Sequence, residues 1–187
     1  MTLLPTLLID RYKTLVRRLE AMLAPWLLGL AARLVFLAVL LPYYLNSALT
    51  KFDGLFRISD SAYYQIALPA VEAAGGDVSA VSFLPWGAMV FFGSYGELIL
   101  PILIVIGLLT RIAALGMIGF IAVQTLTDIY VHNVDATTIG ALFDRFPDSV
   151  IADQRLLWLY PLIYLAVKGA GLISLDKLLC WRWASHH

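Results

Sequence analysis

The sequence predicts an all-α integral membrane protein: a four-transmembrane-helix bundle preceded by an N-terminal amphipathic helix, with both termini cytoplasmic. Three observations predict it. Of 187 residues, 61% are hydrophobic and 14% charged, with a mean hydropathy of +0.84, whereas a soluble domain is nearer half apolar and a quarter charged. Four apolar stretches are each of a length suited to the ~30 Å hydrocarbon core. The basic residues segregate to one side of those stretches.

In residues 5–23, Asp10, Arg11, Lys13, Arg17, Arg18 and Glu20 interrupt the apolar residues, which does not suit a cleavable signal. Leu8, Tyr12, Leu15, Leu19 and Met22 recur at helical spacing, one apolar stripe opposite a basic face. That pattern suits a helix lying on the membrane surface; a solvated helix packed on the bundle is the alternative. The first span covers 25–48, with Arg33 its only formal charge and Trp26, Tyr43 and Tyr44 at interfacial positions. A loop over 49–82 follows. Within it SAYYQIALPAVEAAGGD reads as helix, broken at Pro69 and stopped by Gly75-Gly76.

The second span, 83–109, carries the single charge Glu97, and its Gly93, Gly96 and Gly107 suit close helix packing. After a turn at Thr110-Arg111 the third span covers 112–130, rich in small residues. A second loop, 131–155, contains Ile139, Leu142, Phe143 and Phe146 at helical spacing, which predicts a short amphipathic helix ended by Pro147. The fourth span, 156–172, includes Pro161. Beyond it Trp181 and Trp183 hold a charged tail at the interface. The whole chain, 1–187, forms one membrane domain.

Nine of the 13 basic residues (Arg11, Lys13, Arg17, Arg18, Arg33, Arg111, Lys168, Lys177, Arg182) but only three acids (Asp10, Glu20, Asp176) fall on the side of the termini. That side is expected to be cytoplasmic, with the two acidic loops outward. Equal numbers of basic and acidic residues, 13 each, argue against nucleic-acid binding. Cys180 alone makes no disulfide framework or iron–sulfur site, and His132 is the only histidine apart from His186 and His187, so no built-in haem, iron–sulfur or disulfide redox centre is expected. Nor is a metal site: one histidine with nearby carboxylates has no ligand spacing, and Met1, Met22, Met89 and Met117 are scattered.

A charge inside a membrane is expensive unless paired or hydrated, so Arg33 and Glu97 are the first candidates for chemistry. At ~1.5 Å per residue, Arg33 lies about 10 Å in from Trp26 and Glu97 about 18 Å in from Leu109, both from the cytoplasmic side, so their side chains can meet. Such a meeting is read as a buried ion pair or proton-accepting carboxylate lining a cavity, or as a pair that fixes helix register. A second constellation lies at the outward end of the third span. Gln124, Asp128 and His132 recur at i, i+4, i+8, with Tyr43, Tyr44 and Asn46 at similar depth. This ring suits a quinone head group whose tail stays in lipid; ordinary interfacial polarity is the other reading.

GELILPILIVIGLLTRIAAL, residues 96–115, resembles the second-span signature of the DoxX family, a membrane glutamate before a Gly-Leu-Leu-Thr-Arg-like turn. KGAGLISLDKLL, residues 168–179, is similar to that family's closing pattern, and RLVFL followed by Lys51-Phe52 resembles its opening arginine and later lysine. Together these cover most of residues 24–179. The resemblance implies a four-helix membrane bundle in the bacterial cytoplasmic (inner) membrane and association with quinone-linked oxidoreductases such as the thiosulfate:quinone type. It implies a subunit rather than a defined reaction. Distant relatives include animal membrane chaperones and cargo receptors, and APWLLGLAARL looks like DoxX proteins encoded near small copper-buffering peptides. Three functions compete: a quinone-interacting redox subunit; a non-catalytic partner or chaperone-like subunit binding another protein, or a second copy, through the outward loops; and small-molecule or copper-related transport.

Overall fold

The computed structural model describes residues 3–54 and 57–184, with side chains from 8 to 182 within those limits. Met1, His186, His187 and the Trp183 side chain lie outside what it describes. Four helices are long and apolar enough to cross a membrane. These are α2 (Leu27–Leu49), α5 (Phe83–Ile106), α6 (Thr110–Tyr130) and α8 (Val150–Lys168), flanked by α1 (Leu3–Leu23), α3 (Asp60–Ile66), α4 (Leu68–Ala73), α7 (Ala136–Ile139) and α9 (Leu175–Ala184). The chain is a multi-pass membrane protein. A two-stranded antiparallel hairpin, β1 (Phe52–Asp53) and β2 (Arg57–Ile58), follows α2.

The four spans close into a ring in which α6 packs on α5 and α8, and α2 packs on the same two neighbours. Phe36, Leu40 and Tyr44 of α2, Ile104 of α5, Ala113, Ala114, Met117 and Ile121 of α6, and Leu162 and Leu165 of α8 are buried at its centre. The outer belt is apolar throughout, with Val39, Phe92, Ile112, Leu126, Leu157 and Val167 exposed to lipid. Pro42 has no N–H to give the Ala38 carbonyl, and α2 accommodates this through a wider π-type turn over Phe36–Leu40. α1 stands clear of the ring, and its predicted apolar stripe is exposed along its length.

One end of the bundle carries both terminal segments. There the Pro25 carbonyl accepts from the Leu172 N–H at 3.0 Å, and Gly29 lies so close to Ala170 that a Cβ would sit 2.6 Å from its carbonyl oxygen. We call this the terminal end and the opposite one the loop end. Gly107, expected to serve helix packing, instead stops α5 in the left-handed region at φ +73°, with its carbonyl accepting from Asp176 N at 2.8 Å. The Asp176 carboxylate then caps α6, accepting from Leu109 N at 2.7 Å and Thr110 N at 3.0 Å.

The segments between spans differ from expectation in one place and match in another. α3 and α4 are the predicted broken helix, and Ala62, Ala67, Ile66 and Tyr63 pack it against Val90 and Trp86 of α5. The helix expected through Phe146 stops at Ile139. Gly140 adopts φ +72° and leaves no room for a side chain, since a Cβ would sit 2.1 Å from Ser149 Oγ. Leu142, Phe143 and Phe146 consequently point outward, Phe143 fully exposed. The fourth span begins at Val150 rather than 156 because Ser149 and Asp153 cap it reciprocally: Ser149 N and Oγ donate to Asp153 Oδ2, and Asp153 N donates to Ser149 Oγ. It ends at Lys168 rather than 172, where Gly169 takes φ +81°.

Candidate functional site

The bundle leaves a cavity of about 490 Å³ at its loop end, between α5 and α6. That volume lies within the usual range for small-molecule sites. Each helix contributes one face. On α5, Met89, Phe92, Gly93, Gly96, Glu97 and Leu100 recur at helical spacing, and on α6 Gly116, Gly119, Phe120, Val123, Gln124 and Thr127 do the same. Ser47 of α2 and Lys51, two residues past its end, close it, while Gln65 and Ile66 of α3 roof it. Asp128 and His132 stand at the rim.

Glu97 lies on the cavity wall and is buried, but it does not meet Arg33. Lys51 Nζ is 2.7 Å from Glu97 Oε2, with the two residues 6% and 2% exposed. Lys51 also donates to Ser47 Oγ at 2.9 Å and the Ser47 carbonyl at 3.3 Å, so the ammonium folds back from beyond the end of α2 onto its last turn. Pro101, four residues beyond Glu97, leaves the Glu97 carbonyl without its ordinary i+4 donor.

Arg33 is engaged elsewhere. Its Nε donates to the Ile104 and Val105 carbonyls, both at 3.1 Å, and its Nη atoms donate to the Val105 and Ile173 carbonyls. These include the orphan acceptors at the C-terminus of α5, where a cation is favoured by the helix dipole. Seven residues, about 10 Å of helix, separate Ile104 from Glu97, more than a side chain so held can bridge. The expected Arg33–Glu97 contact is therefore replaced by two separate structures, a helix cap at the terminal end and an ion pair at the cavity.

The predicted polar stripe of α6 is divided. Gln124, Asp128 and His132 all line the cavity. Gln124 Nε2 donates to Tyr43 Oη at 2.9 Å, and Tyr44 Oη donates to Gln124 Oε1 at 3.4 Å. Tyr43 and Tyr44 therefore sit behind Gln124 and position its amide, inside an aromatic cluster with Trp158 and Phe120. Asn46 is exposed outside the cavity. Asp128 pairs with Arg155 Nη2, and Arg155 Nη1 donates to Thr125 Oγ1 at 2.8 Å.

Lys51, Gln65, Ser47 and Arg155 were not singled out by residue chemistry. Lys51 follows the apolar stretch of span one with Ser47 four residues before it, a spacing that lets a serine hold a descending lysine. Arg155 lies in a segment whose polarity reads as loop. Among the described residues no three His, Cys, Asp or Glu side chains converge to hold a metal ion.

The sequence profile of DoxX matches residues 28–133, more than half of the chain, so the chain belongs to the DoxX family. The match takes in α2 from its second residue, α5, α6 and the polar residues of the cavity, and ends at the start of the second loop, before α8. Neither a curated protein nor a solved structure matches the chain.

Proposed function

We propose that this DoxX protein is a quinone-interacting subunit of a redox system in the bacterial inner membrane, with its termini cytoplasmic and the cavity near the outer face. The observation that carries this reading is the Lys51–Glu97 pair on the wall of a cavity that combines apolar surface from Phe92, Leu100, Phe120 and Val123 with a few polar groups. A quinone head is a flat, apolar ring with two carbonyl oxygens, and the residues present fit it. Lys51 can turn to one quinone carbonyl the N–H that it now gives the Ser47 carbonyl at 3.3 Å, Gln124 keeps a second Nε2–H beyond the one it gives Tyr43, and Leu100 and Phe120 offer apolar surface for the ring.

A quinone bound there supplies two-electron, two-proton chemistry, its electrons coming from an associated redox protein. This chain's residues bind and orient the head group and hold protons. Glu97 accepts or releases a proton beside Lys51, while His132 and Asp128 at the rim connect the cavity with water. Ser47 holds the ammonium in line with Glu97, and Tyr43 and Tyr44 fix Gln124.

Titrating detergent-solubilised protein with a short-tailed benzoquinone, read by quenching of tryptophan fluorescence, tests this. Lys51→Met and Gln124→Leu each weaken binding by about tenfold, the worth of one good hydrogen bond in an apolar site. Unchanged affinity in both sinks the reading.

One observation favours a second role beside it. Leu142, Phe143 and Phe146 project from the loop end as an exposed apolar tip, which suits contact with a protein partner. Replacing residues 141–147 with a polar linker then abolishes co-purification of that partner while leaving quinone binding unchanged. Persistence of the complex removes the role.

A further inference from the structure

The α6 wall of the cavity carries a glycine, Gly119, that no neighbour explains. Glycine inside a helix is less favourable than alanine, and membrane helices ordinarily use it where backbones approach closely. Gly119 has an ordinary negative φ, and a Cβ built on it meets nothing within 4 Å. Its neighbour across the mouth, Gly96, is nearly as open, with only Leu100 Cδ1 at 3.8 Å. Gly116 differs, since a Cβ there lies 3.2 Å from Leu100, which forms the floor.

The gap left by Gly96 and Gly119 is framed by Phe92, 72% exposed, and Val123, 53% exposed, on the surface that faces lipid. Glu97, next to Gly96, is level with Gly119, because each lies nine residues, about 14 Å, from the terminal end of its helix. A ligand whose polar head sits at the ion pair therefore has an apolar exit at the same depth, directly into the hydrocarbon.

We infer that the ligand is a single-tailed lipid, with a prenyl or alkyl chain, that enters and leaves between α5 and α6, its tail crossing the protein surface over Gly119. The inference rests on the quinone reading for the head group and adds the route and the tail. Gly119→Leu is the direct perturbation: the site has room for the side chain, leucine favours the helix, and the added isobutyl group occupies the mouth. Val123→Trp narrows the same opening from an exposed position and serves as an independent variant.

The experiment uses the full chain in detergent with two probes, a decyl-tailed benzoquinone and the same ring bearing methyl in place of the tail. In both variants the decyl quinone is expected to bind about tenfold more weakly than to wild type, while the tailless ring binds as before. Equal binding of the decyl quinone to wild type and variants overturns the lateral mouth and leaves the head-group site standing. Equal weakening of both probes overturns the tail path, since the leucine then blocks the head. Failure of the wild type to bind either probe overturns the quinone reading and this inference with it. A Gly119→Leu protein that loses a wild-type dimer, read by light scattering, overturns the inference in favour of two copies packed across the glycine.

Discussion

Breaking the Lys51–Glu97 pair from one side costs far more than replacing both partners. At 2.7 Å and an effective dielectric constant of ~20, the attraction between the two charges is about 6 kcal/mol. Burying each ion costs several kcal/mol, so the net contribution of the intact pair is small. The asymmetry lies in the single variants. With the two residues 6% and 2% exposed, Lys51→Met strands a carboxylate and Glu97→Met strands an ammonium, each destabilising by about 3–5 kcal/mol before the stranded group neutralises itself. Methionine has a similar unbranched shape, so the double variant leaves neither a stranded charge nor a large void and costs less than either single change. Reversible unfolding in mixed dodecylmaltoside and SDS micelles, followed by tryptophan fluorescence, measures the four corners of the cycle. The expected coupling is at least about 2 kcal/mol. Additive costs would refute the argument, because they would mean that the two groups do not depend on each other for burial.

Three further outcomes follow from the terminal end and the loops. Asp176→Ala removes the acceptor for Leu109 N and Thr110 N and lowers stability in the same assay by about 1–2 kcal/mol, whereas Asp176→Asn, which keeps an acceptor oxygen, costs less than half of that. Gly107→Ala destabilises by more than ~1 kcal/mol, since φ is +73° and the new Cβ would lie 2.7 Å from Ser174 Cβ; Gly119→Ala, with open space around it, is neutral or stabilising. In the second loop, hydrogen bonds from the Thr137 hydroxyl and the Thr138 N–H hold the Asp135 carboxyl below the ordinary Asp range. Its contribution to loop stability is thus complete above about pH 3.9 and disappears as pH falls through the lower folded value, a titration that carboxyl-carbon NMR reads directly and that Asp135→Asn abolishes.

The spans were legible because a run of apolar residues long enough to cross a bilayer has few other uses, and the folded chain keeps all four. Their ends were less so. Polarity alone assigned residues 150–155 to a loop, yet Ser149 and Asp153 start the helix there and Arg155 is buried against Asp128; a charge with a partner on another helix does not look different in sequence from one in water. The amphipathic spacing of Ile139, Leu142, Phe143 and Phe146 was real, but Gly140 pressed against Ser149 broke the helix before the pattern was used. At the site, sequence located Glu97 and the Gln124, Asp128 and His132 stripe because each is polar where the membrane demands apolarity. It paired Glu97 with the wrong cation, since depth along two helices was comparable and nothing in one sequence states which faces meet. Lys51 reaches Glu97 from outside the apolar run, by lowering a long side chain past Ser47.

The central claim, that the cavity holds a quinone by its head, is tested most directly by mass spectrometry of organic extracts from protein purified in mild detergent. Wild type, Glu97→Gln and Asp128→Asn are compared at equal folded yield. About one prenylquinone per chain is expected in the wild type, and its loss in Glu97→Gln. Absence of quinone from the wild type, or an undiminished amount in both variants, would contradict it.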